Sequence, residues 1–243
     1  MSLYQLTLTR ALTIYVAQGL VCAFFIFLAY KILKRDRKRL NIIFSGFYLS
    51  GAIGLFINFI YAPLVDVNVV KILNFLTNFG IFYSPIFLVV FNLILLKSEK
   101  VITTFKQLAI LIGFGVFMFC MILFILIPDM GVIIDDTTGW SPEWSLPFFL
   151  YLLIGETLFA TVPILYFSFK VYNKFEDMQL KKKWRSFIFG FCALISFMYA
   201  IFISNFLAFY DINVRLIMMA IGIILGVAGA YLMFNGVGRQ LEK

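Results

Sequence analysis

From Leu108 to Ile127 no side chain carries a charge, a hydroxyl or an amide. A stretch of that kind leaves its backbone only other backbone as a hydrogen-bonding partner. In lipid, where each unsatisfied peptide group costs several kcal/mol, only a helix or a closed barrel meets the condition. A hydrocarbon core of about 30 Å takes roughly 20 residues of helix, and apolar runs of that length recur along the chain between short polar breaks. Strand-length segments of alternating polarity are absent, which excludes the barrel. The composition agrees: 63% of residues are hydrophobic and 13% charged, against about half and about a quarter in soluble domains.

The pattern predicts an all-α, polytopic bundle of seven transmembrane helices in a single domain, 1–243. The spans run over about 12–33, 41–62, 71–96, 104–128, 147–170, 186–209 and 213–236. Seventeen of the twenty Lys and Arg fall in the junctions after spans one, three and five and in the tail; the other side holds Arg10, Lys71 and Arg215. That asymmetry places the N-terminus outside, the C-terminus in the cytoplasm and the protein in the cell membrane. The start MSLYQLTLTR lacks a basic region followed by a small-residue cleavage site, so span one is expected to be retained.

There is no histidine, and Cys22, Cys120 and Cys192 each sit inside apolar segments. Metal and haem sites and His-dependent triads lose their usual ligands, so no cofactor is expected. No paired carboxylates or activated nucleophile stand within the spans, which argues against an enzyme. The basic stretch KVYNKFEDMQLKKKWR mixes aromatics with cations. It fits attraction to anionic membrane lipids or docking of a separate signalling partner at the basic cytoplasmic loops, and not nucleic acid. The spans show no internal repeat of the kind that builds many transporters.

Small residues four apart mark helix contacts in lipid. Gly46, Ser50 and Gly54 do so in span two, as do Gly222 and Gly226 in span seven, with Gly229 three residues further on; these pack within the chain or at a homodimer seam. Pro85 in span three and Pro163 in span five each remove a backbone donor, so each should bend its helix and free a carbonyl.

The one deep acid is Glu156, ten residues into a span that starts near Leu146, hence about 15 Å along the axis and close to the bilayer midplane. An intramembrane acid is a functional candidate and is expected to face the bundle interior, holding a proton or a partner. Lys71, Asn74 and Asn78 share one face of span three, with Tyr83 below them; Asn58 on span two and Tyr199 and Asn205 on span six complete a set of ligand-binding candidates. They are expected to line an outward-facing cavity floored by Glu156. Toward the cytoplasm it is mainly Thr157, Thr161 and Asn92 that continue a polar path. The outer junction holds Asp129, Asp135, Asp136 and Glu143 and no base, which favours cationic or neutral ligands. Trp140 and Trp144 read as interfacial anchors.

With the segment TGWSPEWSLP leading into span five and the basic turn KVYNKFEDMQLKKKWRSFIFG leading into span six, the chain resembles the N-terminal seven-helix regions of microbial sensor histidine kinases. The resemblance covers 138–190 and implies a receptor-like, sensory domain. Members of that group carry an output domain after the seventh helix; here GVGRQLEK follows. Microbial rhodopsins hold retinal on a lysine of the last helix, and 213–236 contains none. The reading is therefore a receptor-like protein binding a small molecule or lipid. The alternative is a small proton-coupled transporter with Glu156 as its proton-binding acid.

Overall fold

A computed structural model describes residues 6, 8–127, 129–207 and 212–238. The leading MSLYQ and Thr7, Pro128, residues 208–211 with Tyr210 and Asp211, and the tail 239–243 with Arg239 and Lys243 lie outside the described residues. Among the described residues, seven helices are long and apolar enough to cross a membrane: Leu12–Arg35, Arg39–Tyr61, Val67–Lys97, Thr104–Leu126, Leu146–Lys174, Met178–Leu207 and Ala220–Val237. The protein is thus all-α and multi-pass. The largest difference from the sequence reading is at 170–185, where the fifth span continues to Lys174 and the sixth starts at Met178. Lys, Arg and Gln are good helix formers, so helix runs past the apolar boundary until Phe175 turns extended.

Side-chain caps set several starts. Asp66 accepts from Asn68 N and Val69 N at 3.0 and 3.1 Å, Thr103 caps span four, and Ser145 caps span five. Both prolines stand where their helices are interrupted, a larger departure than the expected bend. Span three divides into Val67–Tyr83 and Pro85–Lys97, with Pro85 opening the second piece. Span five widens into a π-helical turn, Thr157–Thr161, ahead of Pro163. A missing donor at Pro163 leaves the backbone a turn earlier without its usual partner, and a wider turn absorbs the mismatch.

Span three is the most enclosed, with 61% of its central window buried, against 17% for span four, which faces outward along most of its length. Spans two and three meet through glycine: a Cβ on Gly54 would lie 2.7 Å from Thr77 O, and Ser50 Oγ donates to Gly80 O at 2.7 Å. Spans six and seven meet the same way. A Cβ on Gly190 would lie 2.6 Å from Gly229 O, and one on Gly229 2.6 Å from Gly190 O. Gly222 and Gly226 face the ring of Phe197, so the close approach that the Gly222, Gly226 and Gly229 stripe permits is made within the chain, to span six. Gly229→Val should push the two backbones apart and destabilise the protein by about 2–3 kcal/mol, read as a lowered thermal midpoint in detergent. An unchanged midpoint would show that the seam is loose.

Between spans four and five, β1 (Val132–Ile133) pairs antiparallel with β2 (Glu143–Trp144). The turn between them holds Gly139 and Trp140 at positive φ, 57° and 59°. The tryptophans are not surface anchors. Trp140 is 3% and Trp144 4% exposed: the ribbon folds them inward, Trp144 against Phe82, Phe148 and Phe202 and Trp140 donating to Asp136 Oδ1 at 2.7 Å. Asp135 accepts from the Thr137 hydroxyl and from the backbone of Thr137 and Thr138, which holds its carboxyl below the usual range. Two of the four loop acids are thus committed to the loop itself.

Candidate functional site

At the end of the bundle that carries this ribbon lies a cavity of about 510 Å³, within the roughly 300–1,000 Å³ of small-molecule sites. Spans one, two, three, six and seven contribute its walls. One wall is an amide stripe on span three, where Asn74, Thr77, Asn78 and Ile81 follow the i, i+3, i+4, i+7 spacing of a single helix face. Asn78 donates to Asn74 Oδ1 at 3.0 Å, and Asn74 donates to the Tyr61 hydroxyl at 2.9 Å. Facing them, Asn58 donates to Gln18 Oε1 at 2.5 Å. Thr77 Oγ1 is buried without a hydrogen-bond partner, although a buried hydroxyl normally has one.

At the rim, Arg10 donates to Gly139 O at 2.7 Å, Trp140 O at 2.5 Å and Ala62 O at 3.4 Å. It ties the lead-in to span one to the ribbon turn and to the end of span two. Thr138, Gly139, Ser141 and Pro142 of that turn form the rim. The described lining carries one charged residue, Arg10, and no carboxylate. The loop acids, from which a preference for cationic or neutral ligands is expected, are not part of that described lining.

Of the candidate residues, Asn58, Asn74, Asn78 and Asn205 line the cavity; Lys71, Tyr83, Tyr199 and Glu156 do not. Tyr83 lies five residues beyond Asn78, which turns the helix by about 140° away from the amide stripe. Its hydroxyl donates to Leu111 O of span four at 3.0 Å, and its ring stacks on Phe79 and Phe114. Tyr199 faces span five, where its hydroxyl meets Thr157 Oγ1 at 2.8 Å and donates to Thr161 Oγ1 at 3.1 Å, bridging the ends of the π turn. Lys71 is half-buried on the end turns of span three, near enough to Asp135 to act on it electrostatically.

Glu156 has no exposed surface, and both carboxylate oxygens lack hydrogen-bond partners. It faces the interior, as expected of an intramembrane acid, but it sits beside the π turn rather than in the floor of the cavity. Nearer the basic end, Asn92 donates to Ser168 Oγ at 2.9 Å and Ile164 O at 3.3 Å, and Trp184 donates to Ser168 O at 2.8 Å. These bonds tie spans three, five and six together, with Asn92 Oδ1 buried beside them without a hydrogen-bond partner.

The sequence reading passed over Arg10, Gln18, Tyr61 and Thr77. Thr77 was within reach of it, since it continues the Asn74 and Asn78 face. Gln18 and Arg10 become visible only once span one is docked on spans two and three. No protein-family model matches the chain, and neither a curated protein nor a solved structure does.

Proposed function

We propose that this is a receptor-like protein of the cell membrane that takes a small uncharged molecule or a lipid into the cavity beside the ribbon, with that end of the bundle outside. The observation that carries this reading is the amide-lined cavity of about 510 Å³ in which a buried Thr77 hydroxyl has no partner. Amide side chains both donate and accept, so they suit a neutral polar group, and an unused hydroxyl completes such a site. The resemblance at 138–190 to sensory seven-helix regions points the same way. Occupancy acts by favouring one of two arrangements of spans three, five and six. Glu156 beside the π turn is the internal group that distinguishes them, and the basic ends carry the output to anionic lipid or to a separate partner.

Binders found by ligand-induced thermal stabilisation of the purified protein should lose about tenfold or more in affinity in Asn78→Leu, with the unliganded midpoint nearly unchanged. Binders indifferent to Asn78→Leu and to Asn58→Leu would show that this cavity is not the site.

The second reading is proton-coupled transport, favoured by an intramembrane carboxylate without a hydrogen-bond partner. Uptake into proteoliposomes driven by a pH gradient and abolished in Glu156→Gln would establish it over the first.

A further inference from the structure

The walls of the cavity change character along its depth, and the change specifies an occupant. Near the ribbon they are amide and hydroxyl: Asn58, Asn74, Asn78, Thr77 and Gln18. Deeper they are Leu55, Ile81, Phe197 and Ile201. These same four side chains also wall a second, narrower cavity of about 50 Å³, which is closed by Phe25, Phe47 and Pro85 among others. The single hydroxyl there, Ser84, donates to Ile81 O at 2.7 Å and so offers no donor to a guest. A polar compartment therefore adjoins an apolar one, and the apolar one ends at the break of span three.

Resting on the proposed binding function, we infer that the ligand class is a single-chain amphiphile with an uncharged, hydrogen-bonding head. The head lies among Asn58, Asn78 and Thr77, and the chain runs along Leu55, Ile81, Phe197 and Ile201 toward Pro85. A cationic head is disfavoured because the described lining presents the Arg10 guanidinium and, among its side chains, no carboxylate that would attract a cation. An uncharged head satisfies Thr77 Oγ1, the one buried polar side-chain atom of the described lining left without a partner. The chain gains by displacing lipid or water from apolar walls, and its tip touches the helix break, so occupancy bears on the element that can bend.

The test uses the full chain in lipid nanodiscs with tritiated 1-monolauroylglycerol, empty discs giving the background. Saturable binding is expected, with affinity falling about tenfold or more when the lauroyl chain is shortened to butanoyl. Thr77→Val should weaken the lauroyl compound about threefold to tenfold. Ile201→Phe, which narrows the apolar end, should weaken the lauroyl compound several-fold more than the butanoyl one. Dodecyltrimethylammonium and laurate should compete at least tenfold less well than unlabelled 1-monolauroylglycerol. Equal competition by the cation, tighter binding of laurate, or affinity independent of chain length would overturn the inference. A chainless polar compound that binds and is lost in Asn78→Leu, beside no saturable monoacylglycerol binding, would sink the amphiphile and leave the binding function standing. Absence of saturable binding by any compound would remove both.

Discussion

Glu156→Met should raise the thermal unfolding midpoint of the purified protein while abolishing its response to a bound ligand. In the folded chain the side chain has no exposed surface, and neither carboxylate oxygen has a hydrogen-bond partner. A buried polar group left unsatisfied costs about 1–3 kcal/mol, and a charged one more. Methionine is unbranched and of similar length, fills the same space and removes both oxygens. We expect a gain of about 2 kcal/mol or more, which for a chain of this size is a rise of roughly 4–8 °C. Glu156→Gln should gain less, since an amide buried in the same place still lacks partners. A residue that lowers stability where it stands is kept for what it does, so the stabilised variant should be the inactive one. A lowered midpoint in Glu156→Met would mean that the carboxylate is held by groups that offset its burial. A raised midpoint with the ligand response intact would remove Glu156 from the mechanism.

How far each feature could be read in advance depended on the range of the interaction behind it. The spans were legible because lipid imposes its condition locally: an apolar run of sufficient length must be a helix whatever surrounds it. The bends expected at Pro85 and Pro163 are equally local, although a π turn as the form of the second is not. The helical ends flanking Phe175 were missed because hydropathy marks where lipid stops, and backbone propensity continues past that point. Asn74 and Asn78 were recognisable as one face from their spacing alone. Placing Tyr83, Tyr199 and Glu156 required knowing toward which neighbour each helix is rotated, and depth along the axis carries no such information. The ribbon was the least legible element. Two residues per strand show no period, and its pairing of Val132 with Trp144 depends on contacts across the loop. Its folding reverses the role of the tryptophans and leaves the loop acids outside the described cavity lining.

The same ribbon makes Arg10 the second site of large expected effect. Its guanidinium joins three segments through Gly139 O, Trp140 O and Ala62 O, across sequence separations of 129, 130 and 52 residues. Two of the acceptors belong to residues at positive φ, one of them Trp140, a conformation that costs a residue with a side chain about 1–3 kcal/mol and persists only where surroundings enforce it. Hydrogen bonds from a charged donor contribute about 1.5–3 kcal/mol each, so Arg10→Met should lower the local opening free energy of the turn by about 3 kcal/mol. Amide exchange across 136–145 should then accelerate by roughly a hundredfold, and a protease should cut there first, while exchange in span three stays unchanged. Arg10→Lys should recover only part of the protection, because an ammonium keeps the charge but not the fork that spans two carbonyls. Since Gly139 and its neighbours form the rim of the cavity, a loosened turn should also speed ligand release, with a smaller effect on association. Exchange in the turn that did not change in Arg10→Met would mean that the buried tryptophans alone hold the ribbon down, and Trp144→Ala would then be the variant that opens it.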